Sequence, residues 1–212
     1  MMNKLESIVF ESLGDNCEFA FYLRDQGVDN GSLFRWALIK DYSSLLALLK
    51  SNFNGIYEHD NLEPSWRDMV RDKSCDICFH TELYSHQEDG VWVFNESKTV
   101  REDTYKKEKQ KIDYLVDKFR SSMHSPNTIF VIKNNNNNAE NFIQDIAKTL
   151  AYIGSAKILY VKISDENNDT GSVQHLGHNL YYGYIDRFAD YHAADQFSHE
   201  GWKTILENFS KL

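Results

Sequence analysis

The chain has 212 residues, a formal net charge of −9 and a pI near 5.3, which argues against a surface built for nucleic acid or anionic membranes, because those surfaces need clustered Lys and Arg. Its three cysteines are too few for a disulfide framework, and no apolar stretch reaches the length of a signal peptide core or a membrane span. We therefore expect a single soluble, cytoplasmic domain.

The first predicted unit is a strand that turns directly into a helix. Residues 7–10 have the β-branched and aromatic content of a buried strand. Gly14 allows a tight turn, and Asp15 or Asn16 is a good N-cap for the helix that follows. This places Cys17 in the first turn of that helix.

A cysteine at a helix N-terminus has the chemistry of a nucleophile. The partial positive charge and free N–H groups there stabilise a thiolate, which lowers the thiol pKa, and they can also hold a developing oxyanion. We therefore expect Cys17 to react faster with alkylators than Cys75 or Cys78. The alternative is that Cys17 is a buried packing residue, as free cysteines often are.

The middle of the chain carries weaker signals. Residues 42–50 predict a helix with leucines on one face, and the polar stretch 58–72 predicts an irregular surface loop. Two short strands are predicted at 75–82 and 91–95, joined by a loop that contains Asp89-Gly90.

The second half alternates helices and strands. An amphipathic helix at 101–123 precedes an apolar strand at 127–133, and a helix at 139–153 leads to a strand at 157–163. A last strand, NLYYGYID, is followed by a helix near 199–210. This order predicts a three-layer α/β domain with a mostly parallel sheet in which strands 7–10, 127–133 and 157–163 run parallel.

Several segments carry a resemblance to a known family. They are SLGDNCEFAFYLR, SLFRW at 32–36, CFHTEL at 78–83 and GYIDRFADYHAADQFSHEGW at 183–202. Together they resemble a largely uncharacterised bacterial family described as papain-like cysteine peptidases. The resemblance implies a thiol hydrolase, and it offers a papain-like α+β fold as the alternative to the α/β fold that the periodicity predicts.

A thiol nucleophile needs a base and a group that orients the base. The resemblance points to His80 as the base, and we expect it to face Cys17 across a cleft. For the orienting carboxylate we choose Asp186, at the end of the last strand, with Asp190 behind it. The alternatives to His80 are His192 and His199. A papain-like order, with the histidine long after the cysteine, suits His175, His178 or His192 better than His80.

The same motifs supply candidate binding residues. Asp15 and Asn16 flank the proposed nucleophile, and Arg35 and Trp36 belong to the SLFRW motif. Arg187 follows the last predicted strand. Arginines of this kind bind anionic groups or pair with carboxylates, and pairing is the simpler interpretation in a chain with excess acid.

Two further patterns in the sequence are typical of other chemistries. The GDNC turn and the late DQFSHEGW are similar in layout to SGNH-type hydrolases, but Ser198 stands where their histidine should be, and His199 is one residue late. The pair Cys75-x-x-Cys78 has half the spacing of a zinc site, but no second pair of ligands accompanies it, so a structural role is favoured.

The sequence thus predicts a thiol hydrolase or acyl transferase with Cys17, His80 and Asp186 as catalytic residues, no cofactor and no metal. Its expected substrate is peptide or glycan-linked. One alternative is a non-catalytic accessory module in bacterial surface-polysaccharide synthesis, a context implied by the resemblance alone. The other is an SGNH-like esterase or acyl transferase.

Overall fold

The computed structural model describes residues 8–136 and 138–212, and helices and strands alternate along most of this part of the chain. In chain order the elements are β1 (Val9–Ser12), α1 (Glu18–Asp25), β2 (Ala37–Ile39), α2 (Tyr42–Lys50), β3 (Leu62–Trp66), β4 (Met69–Asp72), β5 (Ile77–His80), β6 (Ser85–Glu88), β7 (Val91–Phe94), α3 (Glu102–His124), β8 (Thr128–Lys133), α4 (Ile143–Ile153), β9 (Lys157–Ile163), β10 (Val173–Gly177), β11 (Leu180–Ile185) and α5 (His199–Phe209).

The central sheet has five strands in the order β1-β8-β9-β11-β10. Strands β1, β8, β9 and β11 run parallel to one another, and β10 pairs antiparallel with β11. The structure therefore confirms a mixed α/β fold with a mostly parallel sheet, including the predicted parallel pairing of the three strands that begin near residues 7, 127 and 157.

Alternate residues of the inner strands enter two separate apolar clusters. Phe130 and Ile158 belong to a cluster that includes apolar residues of α2, α3 and α4. Their chain neighbours Ile129 and Leu159 belong to a cluster that includes apolar residues of α1 and α5. This is the period of two expected for strands buried on both faces.

The segment at 58–72 corrects the sequence prediction, because it is a β-hairpin and not an irregular loop. Strands β3 and β4 pair antiparallel and belong to a second sheet in the order β2-β5-β4-β3. Pro64 lies in β3, which is at the edge of this sheet, where a missing N–H is tolerated. Leu62 and Val70 are the buried anchors that the polar composition concealed.

The turn at Asp89-Gly90 also differs from its expected place. It closes a hairpin of β6 and β7, whereas the sequence prediction had it joining the strands now seen as β5 and β7. Both residues have positive φ, 47° for Asp89 and 83° for Gly90, which is the conformation of tight two-residue hairpin turns.

The long helices follow their predicted spans closely. The helix expected from residue 139 begins at Ile143 instead, because a 3-10 turn at Asn138–Asn141 precedes it. Within the described residues, none of these helices combines the length and apolar character that crossing a bilayer requires.

Candidate functional site

Three loops meet where the parallel strands β1, β8 and β11 end. The first contains the Gly14 turn and Cys17, the second begins at Lys133, and the third contains Ala189 and Tyr191. Carboxyl ends of parallel strands lie on one edge of a sheet, which is where open α/β sheets bind ligands. The residues of these loops contact one another directly, as described below.

The first loop depends on glycine. Gly14 has φ +81°, and a Cβ there would lie 2.5 Å from Ile39 Cδ1, so a side chain is excluded by both conformation and space. Asp15 follows with φ +71°, and its carbonyl oxygen accepts a hydrogen bond from Ile39 N at 3.2 Å. The turn thereby fastens the main sheet to the second sheet through β2.

Cys17 is itself the N-cap residue of α1, one position before the first turn in which the sequence predicts it, and its side chain makes no capping hydrogen bond. The capping hydrogen bond comes from its neighbour, since Asn16 Oδ1 accepts from Glu18 N at 3.0 Å. Asn16 is buried, whereas Cys17 is partly exposed. The cysteine therefore lies at the helix N-terminus and is only partly covered by the surrounding residues.

Behind Cys17 lies a buried ionic cluster that the sequence analysis missed. Lys133 Nζ is 3.1 Å from Asp15 Oδ2 and 3.0 Å from Glu18 Oε2, and all three side chains are at most 1% exposed. Lys133 also donates to Asn135 Oδ1 at 2.7 Å. We call Asp15, Glu18, Lys133 and Asn135, together with Asn134, the Lys133 network.

The carboxylates of this network have further partners. Asp15 Oδ1 accepts from Asn134 Nδ2 at 2.9 Å, and Asp15 Oδ2 is 3.3 Å from Asn135 N. Glu18 accepts from Trp202 Nε1 and from Ala189 N, each at 3.1 Å. The network therefore joins all three loops and α5, with well-defined partners that compensate for burying the charges.

The electrostatic environment of Cys17 differs from the sequence expectation. Burial raises the pKa of the thiol to about 11, with a smaller contribution from Asp68 in the same direction, while Lys133 and Arg24 lower it. The expected activation by the helix N-terminus is therefore outweighed by desolvation. At neutral pH the free protein holds Cys17 as a thiol.

His80 is paired with a carboxylate that the sequence analysis did not consider. Its Nδ1 lies 3.3 Å from Asp68 Oδ2, and both side chains are partly exposed. Asp68 is also close enough to Cys17 to influence the pKa of the thiol. Within residues 8–136 and 138–212, none of the hydrogen bonds made by histidine side chains involves the Cys17 sulfur. The pairing of His80 with Cys17 therefore stays a prediction.

His199 lies at the wrong end of α1 to act on Cys17. Its Nε2 is 3.3 Å from Asp25 Oδ2 and 3.2 Å from Gln26 Nε2, beside the C-terminus of the helix. Eight helical residues span roughly 12 Å, so this imidazole is remote from the sulfur at the other end. His192, the other late candidate, is exposed.

Asp186, the predicted orienting carboxylate, contacts the N-terminus of α5. Asp186 Oδ1 accepts from Ser198 Oγ at 2.6 Å, and Ser198 caps α5 by accepting from Gly201 N. In the structure it is Asp68, and not Asp186, that lies beside the His80 imidazole. Asp190 is exposed, and its carbonyl oxygen accepts from Ala193 N at 2.9 Å.

The candidate binding arginines have structural partners. Arg35 is 2% exposed and donates to the carbonyl oxygens of Asn30 and Val28. Arg187 donates to the carbonyl oxygens of residues 196 and 197. Trp36 is covered by the Arg24 guanidinium, whose carbon lies 4.2 Å from the ring centroid. These contacts fix loops and leave the binding roles as predictions.

Tyr191 completes the surroundings of Cys17. Its hydroxyl is 3.5 Å from the carbonyl oxygen of Asp15, and burial raises its pKa, with further contributions from Asp15, Cys78 and Cys17. The hydroxyl is therefore a neutral donor beside the backbone of Asp15, two residues before Cys17.

The remaining cysteines are buried. All three cysteines are free thiols, and no group of three or more potential metal ligands occurs within the described ranges. Burial raises the pKa of Cys75 to about 12 and that of Cys78 in the same direction. These two thiols are less accessible than Cys17.

No family model, curated protein or solved structure matches the chain. The site is therefore defined by its geometry alone: a partly exposed thiol at a helix N-terminus, a buried ionic cluster that fixes the surrounding loops, and the nearby carboxylate of Asp68.

Proposed function

We propose that the chain is a thiol-dependent hydrolase or acyl transferase with Cys17 as its nucleophile. The observation that carries the proposal is that the Lys133 network fixes the Cys17 loop at the carboxyl edge of the parallel sheet. Burying three charges is costly, and a packing cysteine would not require them. The network instead pre-organises a reactive position, as catalytic sites require.

In this mechanism the thiol proton leaves as the sulfur attacks, because the free thiol is neutral at physiological pH. Cys17 Sγ forms a bond to the acyl carbon, and His80, held by Asp68, takes the proton. N–H groups at the start of α1 donate hydrogen bonds to the developing oxyanion. The base returns the proton to the leaving group, and water or another acceptor then releases the acyl group from sulfur.

The resemblance to papain-like cysteine peptidases supports this reaction class, and it proposes peptide or glycan-linked substrates. The two apolar clusters support a layered arrangement, which we infer to have the sheet between two helical layers. Three free thiols support a reducing, cytoplasmic location.

The test is to trap the acyl-enzyme. The protein is incubated with p-nitrophenyl acetate, and peptide mapping by mass spectrometry locates the acetyl group. We expect it on Cys17 in the wild type and in the control Cys78→Ala, and expect it to be lost in Cys17→Ala. Acetylation of lysines alone, at equal rates in all three proteins, would refute the nucleophile.

The second candidate function is a non-catalytic binding module. It is favoured by the raised pKa of Cys17 and by the absence, within the described residues, of a hydrogen bond from histidine to its sulfur. In that case Cys17→Ser should leave the cellular role of the protein intact, whereas the hydrolase proposal predicts that the role is lost.

A further inference from the structure

A cavity of about 590 Å³ lies beside the outer edge of β1. Its volume is in the range of small-molecule sites. Residues of β1, the loop before β2 and the C-terminal half of α3 line it, and it shares no residue with the Lys133 network. It is therefore separate from the site proposed around Cys17.

One wall of the cavity is the open edge of a strand. Among the described residues, β1 pairs with β8 alone. Val9 N and Leu13 N donate to carbonyl oxygens on the β8 side, each at 2.9 Å. Because backbone groups alternate along a strand, the N–H and C=O of Phe10 point the other way, toward the cavity. Such an edge can accept a further strand.

Two residues that line the cavity each carry a buried polar atom that lacks a partner within residues 8–136 and 138–212, Glu11 Oε2 and Arg35 Nε. Glu11 is 7% exposed, and its other oxygen accepts from Ser122 Oγ at 2.8 Å. Burial raises the pKa of Glu11, which shows that its surroundings do not fully compensate the charge. An unpaired buried acceptor and an unpaired buried donor therefore lie in the walls of one cavity.

The rest of the lining completes the chemistry. Ile8, Leu23 and Val28 supply apolar surface, and Lys118 adds a positive charge close enough to lower the pKa of Glu11. A fitting ligand must combine main-chain donors and acceptors, apolar side chains, a positive group for Glu11 and an oxygen acceptor for Arg35. A short peptide in extended form has all four.

We propose that this cavity binds a short apolar peptide as an added strand on β1. The peptide pairs with the Phe10 backbone, its amino group pairs with Glu11 Oε2, and its carbonyl or carboxylate oxygens lie toward Arg35 Nε and Lys118. Because Glu11 Oε2 is buried in the free protein, the proposed binding requires the Glu11 carboxyl group to turn this oxygen toward the peptide.

The test is a calorimetric titration with the tripeptide Val-Leu-Val and two modified forms. Acetylation removes the charge at Glu11, and N-methylation of the central amide removes a strand hydrogen bond. We expect saturable binding of the unmodified peptide and at least tenfold weaker binding of each modified form. In Glu11→Gln, the preference over the acetylated form should disappear, whereas the exposed control Glu166→Gln should retain it.

A second variant tests the proposal even if Glu11→Gln does not fold. Ser121 is an exposed residue of the cavity wall, so Ser121→Trp should fill the cavity and abolish binding while the circular dichroism spectrum stays native. The proposal is overturned if the wild type binds no peptide, or binds all three alike. It is equally overturned if β1 mediates a dimer instead, or if binding emerges only after residues 1–6 are removed.

Discussion

Two buried charges on neighbouring strands are treated differently by the fold. Lys133, at the end of β8, contacts two carboxylates and an amide oxygen, whereas Glu11, on β1, has one oxygen without a partner in the described chain. Lys133 has hydrogen-bonding partners within the protein, and these contacts fix the loops around Cys17. Glu11 retains an unpaired carboxylate oxygen in a residue that lines a cavity. We therefore interpret the first arrangement as a pre-organised site and the second as a ligand-binding site.

The largest effect should come from Lys133→Met, which leaves Asp15 and Glu18 buried without their cation. Removing one partner of a buried ion pair costs about 3–5 kcal/mol, so the free energy of unfolding in urea should fall by that amount. The matched control is Lys148→Met, whose pairing with Asp145 is exposed and should be worth about 0–1 kcal/mol. Equal losses in the two variants would show that the network is not a stabilising unit.

Substitution of Gly14, in the turn that positions Asp15 for the Lys133 network, should lower the free energy of unfolding nearly as much. Gly14→Ala forces a side chain into left-handed backbone and against Ile39, while Gly27→Ala meets the same backbone restriction with nothing within 4 Å. We expect about 1–2 kcal/mol for Gly27→Ala and roughly 1–3 kcal/mol more for Gly14→Ala. Urea unfolding of both variants measures the difference, and similar costs would mean that Ile39 yields easily.

The burial of Cys17 should also be visible in the pH dependence of its alkylation. Because its pKa is raised to about 11, the thiolate fraction and the alkylation rate should rise about tenfold per pH unit from pH 7 to 10, without a plateau. Iodoacetamide labelling followed by mass spectrometry measures this for each cysteine. Cys17 should still be the fastest of the three, since Cys75 and Cys78 are buried.

Arg24→Gln offers a smaller change in the same assay. Arg24 lowers the pKa of Cys17, so its removal should slow labelling at every pH below the new pKa. For the wild type, a plateau of the Cys17 labelling rate near pH 7 would contradict its raised pKa. Labelling of Cys75 faster than that of Cys17 would contradict the difference in their burial.

The smallest effect is expected at Glu11. The pKa of Glu11 is raised in the folded state, so the folded protein binds the Glu11 proton more tightly than the unfolded chain does. The resulting stability is present below the unfolded pKa, near 4.5, and is lost as pH rises through the folded value. Glu11→Gln should therefore show a flatter decline in stability between pH 4 and pH 7 than the wild type, measured by urea unfolding. Parallel pH profiles would indicate that the Glu11 carboxylate is compensated.

Sequence reasoning succeeded where local pattern and burial agree. The strands that end at Lys133 and Ile163 and the amphipathic helices are marked by the period of their apolar residues. It failed for the hairpin at 58–72, because edge strands need few apolar residues and tolerate Pro64.

The site was predicted only in part for a related reason. Cys17 is marked by its turn and helix, but its partners come from segments distant in sequence. A lysine ending the apolar strand TIFVIK was the one available signal for the network, since a buried strand position demands that a charge be paired. Nothing local marks Asp68 as the neighbour of His80, because the second sheet brings the two together.

The measurement closest to the central claim is the single-turnover acetylation rate of Cys17 in His80→Gln and in the matched control His199→Gln. If His80 takes the thiol proton, its loss should slow acetylation by about 10²-fold or more, since general-base catalysis contributes that much. His199→Gln should match the wild type, because that imidazole lies at the far end of α1. Equal rates in all three proteins would contradict the assignment of His80 as the base for Cys17.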